Sequence, residues 1–143
     1  LAPGSAGPGL VSDMVADRSI LDLSDHVIRP YYRKRVKQAV SWINTALEGY
    51  PCRVHTPEGA IFLWLWFEGL PITSEVLYQR LKSRGVLVIA GEHFFPGLEG
   101  EWGHRHECIR ISYAQDPASV EVGIQIIGEE VARAYDNVRR ESA

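Results

Sequence analysis

The chain has 143 residues, 45% apolar and 23% charged, with 15 Lys+Arg against 18 Asp+Glu and a net charge of −3. That length holds one domain with its own core rather than two. The slightly acidic balance excludes a nucleic-acid footprint and a polybasic membrane patch. The longest apolar run, Ala60–Phe67, falls far short of the ~20 residues of a spanning helix, so the sequence reads as a soluble protein.

Residues 1–9, LAPGSAGPG, are rich in Gly and Pro and read as a loop. Leu10–Asp17 is a candidate short helix, followed by a helical pattern from about Asp22 to Glu48. In the latter, Val36, Val40, Ile43 and Leu47 form one stripe. Pro30 lacks an N–H and should kink this helix or start a new one. Gly49 and Pro51 supply the stop. The cluster Arg33, Lys34, Arg35 and Lys37 reads as a solvated face.

Cys52–His55 and Ile61–Phe67 read as extended. Ile61–Phe67 is apolar on both alternating faces: Ile61, Leu63, Leu65 and Phe67 on one, Phe62, Trp64 and Trp66 on the other. Such a strand is covered on both sides. Thr73 caps a helix to Arg84, with Gly85 at its end. Val86–Ala90 reads as a short buried strand and Gly91–Gly103 as a long loop. In Cys108–Ala114, Ile109, Ile111 and Tyr113 face one way, and Cys108, Arg110 and Ser112 the other. Asp116-Pro117 opens a last helix with a stripe from Val120 to Val138. The order helix, strand, strand, helix, strand, strand, helix predicts a small sheet with helices packed on it.

Three features bear on chemistry. An Arg in the middle of a strand, facing away from its apolar neighbours, points at water, a partner or an anion, and Arg110 suits a carboxylate through its planar fork. His93, His104 and His106 have metal-ligand types but not metal-ligand spacing, so no metal is expected. The two cysteines, Cys52 and Cys108, read as free thiols of a reducing compartment. No secretory signal pattern opens the chain, and a start at Leu1 without Met reads as a piece of a longer protein.

The blocks Pro57–Trp64, Arg84–Val88 and Cys108–Tyr113, with Leu1–Gly4, Leu70–Thr73 and His93–Leu98, resemble in this order the C-terminal part of class I/II aminotransferases. These are pyridoxal 5'-phosphate enzymes of fold type I, and the resemblance is to the valine–pyruvate type. It implies an α+β small domain over residues 49–143, preceded by a loop and inter-domain helical segment over 1–48. It also implies an upstream cofactor domain lying outside this chain. Arg110 then takes the Arg-x-Ser position that grips the α-carboxylate of the substrate. Phe94 and Phe95 are candidates for an apolar wall against a small or branched aliphatic side chain. The implied substrates are valine or alanine with pyruvate or 2-oxoisovalerate.

None of the three lysines, Lys34, Lys37 and Lys82, matches the cofactor-binding lysine of that family, so this segment is expected to be inactive alone. The resemblance further implies a cytoplasmic homodimer with neither nucleic acid nor membrane as a partner. Many relatives carry Pro-Gly where this chain has Ala90-Gly91, and the long loop that follows, with Trp102, His104 and His106, bears on the side-chain pocket and so on substrate preference. The alternative is an aminotransferase-like ligand-sensing domain of a transcription regulator.

Overall fold

The computed structural model describes residues 4–141, and the chain forms two compact units, residues 1–34 and 35–143. Leu1–Pro3 of the expected opening loop lie outside the described residues, and the rest of that loop is shorter than expected. Helix α1 (Ala6–Ala16) already includes Gly7, Pro8 and Gly9. Its first turn tolerates Pro8, because the N–H groups there have no helical acceptor.

Arg18, at φ 65°, breaks the chain before α2 (Ser19–Leu23). Asp17 accepts from the Ser19 N–H at 2.9 Å, and this bond holds its carboxyl below the usual range. A π-helical turn (Ser24–Ile28) then leads into α3 (Arg29–Ala46). The helical pattern from Asp22 to Glu48 is thus divided just before Pro30, as that residue led one to expect. The proline cannot donate to the preceding turn, and the wider π register lies where that bond is missing. No residue of α1, α2 or the π turn is buried.

The second unit is built on a four-stranded antiparallel sheet in the order β1-β2-β4-β3. Its strands are β1 (Cys52–Val54), β2 (Phe62–Phe67), β3 (Ile89–Ala90) and β4 (Cys108–Ser112). In β2 and β4, Leu63, Leu65, Phe67, Ile109 and Ile111 are all buried. They form the core with Ala39 and Ile43 of α3, with Leu77 and Leu81 of α4 (Ser74–Ser83), and with Ile124, Ile127 and Val131 of α5 (Pro117–Glu141). Both expected caps are present. Thr73 Oγ1 accepts from the Val76 N–H at 3.3 Å, and Asp116 Oδ2 accepts from the Ser119 N–H at 3.0 Å.

The close seat of α5 on α3 requires a glycine. A Cβ on Gly128 would stand 2.6 Å from the Ala46 carbonyl oxygen. The stripe of α5 is buried from Val120 to Tyr135, and Val138 beyond it is exposed.

Three expectations are corrected. Only Ile89 and Ala90 of the expected strand Val86–Ala90 pair with β4. Residues 85–88 instead border a groove of about 420 Å³ against α5, with Leu87 exposed. The long loop carries two single 3-10 turns, Gly91–Phe94 and Gly103–His106. Arg35 does not belong to a solvated cluster. It is 8% exposed and its guanidinium donates to the carbonyls of Tyr113 (3.1 Å) and Gln115. A side chain long enough to reach the end of β4 satisfies two carbonyls there.

Candidate substrate-carboxylate site

Strand parity sends Phe62, Trp64 and Trp66 of β2, and Cys108, Arg110 and Ser112 of β4, to the face opposite the core. The antiparallel register places Trp64 opposite Arg110, Phe62 opposite Ser112 and Trp66 opposite Cys108. One sheet face therefore carries a cation between aromatic side chains. The guanidinium carbon of Arg110 lies 4.1 Å from the centroid of Phe62 and 5.0 Å from that of Phe94. These ring faces attract the cation without using its N–H groups. Among the described residues no carboxylate or carbonyl bonds to it. The half-buried Arg110 borders a cleft of about 210 Å³ shared with His55, Pro57, Phe62 and Trp64.

The long loop forms the roof over this face. Phe94 meets Trp64 edge-on at 5.0 Å, and Phe95 lies 6.1 Å from Trp64 and 5.1 Å from Trp102. His104 stands 4.9 Å from Trp66 and 4.8 Å from Trp102, with Nε2 3.4 Å from the Cys108 sulfur. Trp66 Nε1–H donates to Glu107 at 2.8 Å, and the same carboxylate accepts from the Gly69 N–H. The second cover that β2 requires is this aromatic loop.

A polar cluster lies at the base of the loop. Buried Ser74 donates to Glu92 at 2.5 Å and accepts from the Gly91 N–H at 3.2 Å. His106 Nδ1 is 2.9 Å from the other oxygen of Glu92, and its Nε2 accepts from Arg105 Nε–H at 2.9 Å. Partial burial pushes the Glu92 carboxyl up, but the Ser74 and His106 bonds outweigh it and hold the carboxyl below its usual range. Gly91 is obligatory there, because a Cβ would meet the carbonyl oxygens of Arg105 at 2.5 Å and Cys108 at 2.8 Å.

The candidate residues named from the sequence thus divide. Arg110 and Phe94 are in contact, and Phe95 is one ring further away. His93 stands apart, exposed, 3.8 Å from Glu75. His104 and His106 take separate partners, and among the described residues no group of three His, Cys, Asp or Glu is placed to hold a metal. Phe62 was missed. Phe62 read only as one more apolar strand residue, and the β2–β4 register is what brings it to Arg110.

Lys34 and Lys37 on α3 and Lys82 on α4 are all exposed. The guanidinium of Arg110 suits a planar anion, and no lysine lines the cleft beside it to supply the amine a pyridoxal cofactor needs.

The bend that leads into β2 is held under strain. Ala60 has φ 60°, a left-handed conformation costing about 1 kcal/mol for a residue with a Cβ. The Tyr113 hydroxyl donates to its carbonyl at 2.5 Å, and the Tyr113 N–H to that of Ile61 at 3.1 Å.

No family model matches the sequence. The valine–pyruvate aminotransferase of Escherichia coli (strain K12) is 48% identical over 135 residues, which cover 94% of this chain and 32% of that protein. The crystal structure of valine–pyruvate aminotransferase from Salmonella typhimurium LT2 superposes with a TM-score of 0.87 at 49% identity, over 95% of this chain and 35% of the other. A putative amino-acid aminotransferase from Psychrobacter arcticum 273-4 gives 0.89 at 47% identity, over 95% and 31%. An α-aminoadipate aminotransferase from Thermus thermophilus, at 21% identity and a TM-score of 0.67, shares the fold. The chain spans about a third of the length of the relatives it matches. Its α+β sheet with packed helices is the small-domain fold of fold type I transferases. The chain belongs to the class I/II aminotransferases and corresponds to their C-terminal part.

Proposed function

We propose that this chain is the substrate-gripping part of a valine–pyruvate-type aminotransferase, with Arg110 as the residue that binds the α-carboxylate. The observation that carries the reading is the guanidinium between Phe62 and Phe94, open to a cleft and bonded to no acceptor among the described residues. Two ring faces fix the plane of the fork and leave its N–H edge for a planar anion. Holding the carboxylate at one defined place orients the substrate's Cα–H bond, which is the protein's share of such a reaction. The aromatic loop excludes water from the same place.

Phe94 and Phe95 then form the apolar wall against the side chain of valine, with alanine as a smaller donor and pyruvate or 2-oxoisovalerate as acceptors. Pyridoxal 5'-phosphate would supply the electron sink, held by the two thirds of the relatives' length that this chain does not span. In this reading residues 1–48 join that region to a small domain of residues 49–143. A homodimer is supported by the exposed Leu10, Val15, Leu21 and Val27, an apolar set that needs cover. A cytoplasmic location is supported by two unpaired cysteines. Among the described residues no helix is long and apolar enough to cross a membrane.

The test is Arg110→Ala in the full-length enzyme. Losing a charge-assisted bond of about 1.5–3 kcal/mol predicts a fall in kcat/KM of up to about 100-fold. Activity within about threefold of wild type would remove Arg110 from the site.

A further inference from the structure

We propose that Glu92 and His106 are positioning residues for side-chain selection: their bond fixes the loop that carries Phe94 and Phe95 against Trp64. The inference rests on Arg110 as the carboxylate grip, since it concerns the other end of the same substrate.

The geometry begins with donor and acceptor roles. Arg105 Nε–H can only donate, so His106 Nε2, 2.9 Å away, accepts. The proton of His106 is then on Nδ1, directed at Glu92 Oε1 at 2.9 Å. Glu92 Oε2 accepts from Ser74, a fully buried hydroxyl on the first turn of α4. A chain of three bonds therefore ties the turn Gly103–His106, through the turn Gly91–Phe94, to a helix of the core. The contact at Gly91 leaves no room for the two turns to slide. Phe94 lies two residues after Glu92, and His104 two before His106. Each aromatic group is thus placed by a polar neighbour on its own turn. Glu101 is the other charged group facing the cluster, 3.8 Å from His106 and 3.9 Å from Arg105, and it is exposed.

Neither Glu92 nor His106 lines the cleft beside Arg110. Their influence passes through the ring positions. Phe62, 4.1 Å from the guanidinium, still holds Arg110 when the loop rings shift, so their displacement weighs on a donor large enough to touch them far more than on one whose side chain is a single methyl. Loosening the bond therefore changes discrimination between valine and alanine and leaves catalysis of alanine in place.

The experiment uses the full-length holoenzyme and determines kcat and KM separately for valine and alanine. Wild type, His106→Ala, His106→Gln and Glu92→Gln are compared. His106→Ala is expected to lower the valine-to-alanine ratio of kcat/KM by about 5- to 10-fold, through the KM of valine, with the alanine constants within about twofold. His106→Gln, which can still donate to Glu92 and accept from Arg105, is expected to restore most of the ratio. Glu92→Gln, left with one acceptor oxygen for two donors, is expected to fall between.

An unchanged ratio in a His106→Ala enzyme with a cooperative melt would overturn the proposal, as would an equal loss for both donors. Loss of the cooperative melt in both His106→Ala and Glu92→Gln would make the pair merely structural and overturn it too. Arg110→Ala separates the two readings. If that variant keeps its activity, the carboxylate assignment falls. If it loses both donors while His106→Ala keeps the ratio, only the present proposal falls.

Discussion

On the helix-covered side of the sheet, two arginines are bonded to acceptors of the chain itself. Arg35 donates to two backbone carbonyls, and Arg84 reaches Glu129 at 2.6 Å and the 1%-exposed Glu130 at 3.0 Å. On the aromatic side, Arg110 rests among ring faces and keeps its donors. Both sides cover a cation in part, but with opposite consequences. A guanidinium bonded to carbonyls and carboxylates of other elements holds those elements together. One held only through its π contacts is placed without being consumed, and its remaining capacity is available to a ligand.

The comparison can be tested from either side. The largest effect is expected in the core. Phe67, fully buried, contributes by burial alone, so Phe67→Ala should cost about 3–5 kcal/mol in chemical denaturation. The activity per folded molecule should stay unchanged, and a specific loss of turnover would mean that the two sides are not separable. Next comes the converse. Arg110→Ala should lose up to about 100-fold in kcat/KM with a melting temperature close to wild type. A large fall in that temperature would show Arg110 to be another structural arginine.

A smaller effect is expected at Glu130, which accepts from Arg84 and from Arg133. Glu130→Ala should cost about 1–2 kcal/mol, because Arg84 keeps Glu129 and partial access to water. The smallest effect concerns the thiols. Burial pushes both Cys52 and Cys108 up to about 12. Their folded pKa values lie above the unfolded ones, so their contribution is complete below the unfolded value, about 8.5, and declines as pH rises from there toward 12. Alkylation at pH 8 should therefore be slow in the folded state and fast in denaturant, and rapid modification of the native protein would contradict the burial of Cys108.

How much of this was legible in the sequence depends on the range of the interaction. Local chemistry was readable: Thr73 and Asp116 cap their helices, and the alternation in β2 and β4 separates Leu63, Leu65 and Phe67 from Trp64, Trp66 and Arg110. The mid-strand position of Arg110 was enough to single it out. The pairing of β2 with β4 across more than forty positions was not readable from periodicity, so Phe62 went unnoticed beside it.

Arg35 shows the same gap. Its neighbours Arg33, Lys34 and Lys37 suggested a solvated face, and only the return of the chain at Tyr113 and Gln115 makes it a buried donor. Val86–Val88 looked like strand because apolar β-branched runs do, yet pairing requires a facing neighbour, and α5 leaves a groove there instead.

The closeness of Gly91 to the carbonyls of Arg105 and Cys108 has a consequence for how such enzymes can be varied. The two ends of the aromatic loop are pinned side by side, so the segment between them behaves as an interchangeable cassette. Lengthening a loop whose ends already meet is inexpensive, about 0.6 kcal/mol for each doubling. Residues 95–102 can then be exchanged for longer or shorter versions while Arg110 stays in register. The proposed grip at Arg110 and the proposed wall at the loop would be free to change at different rates.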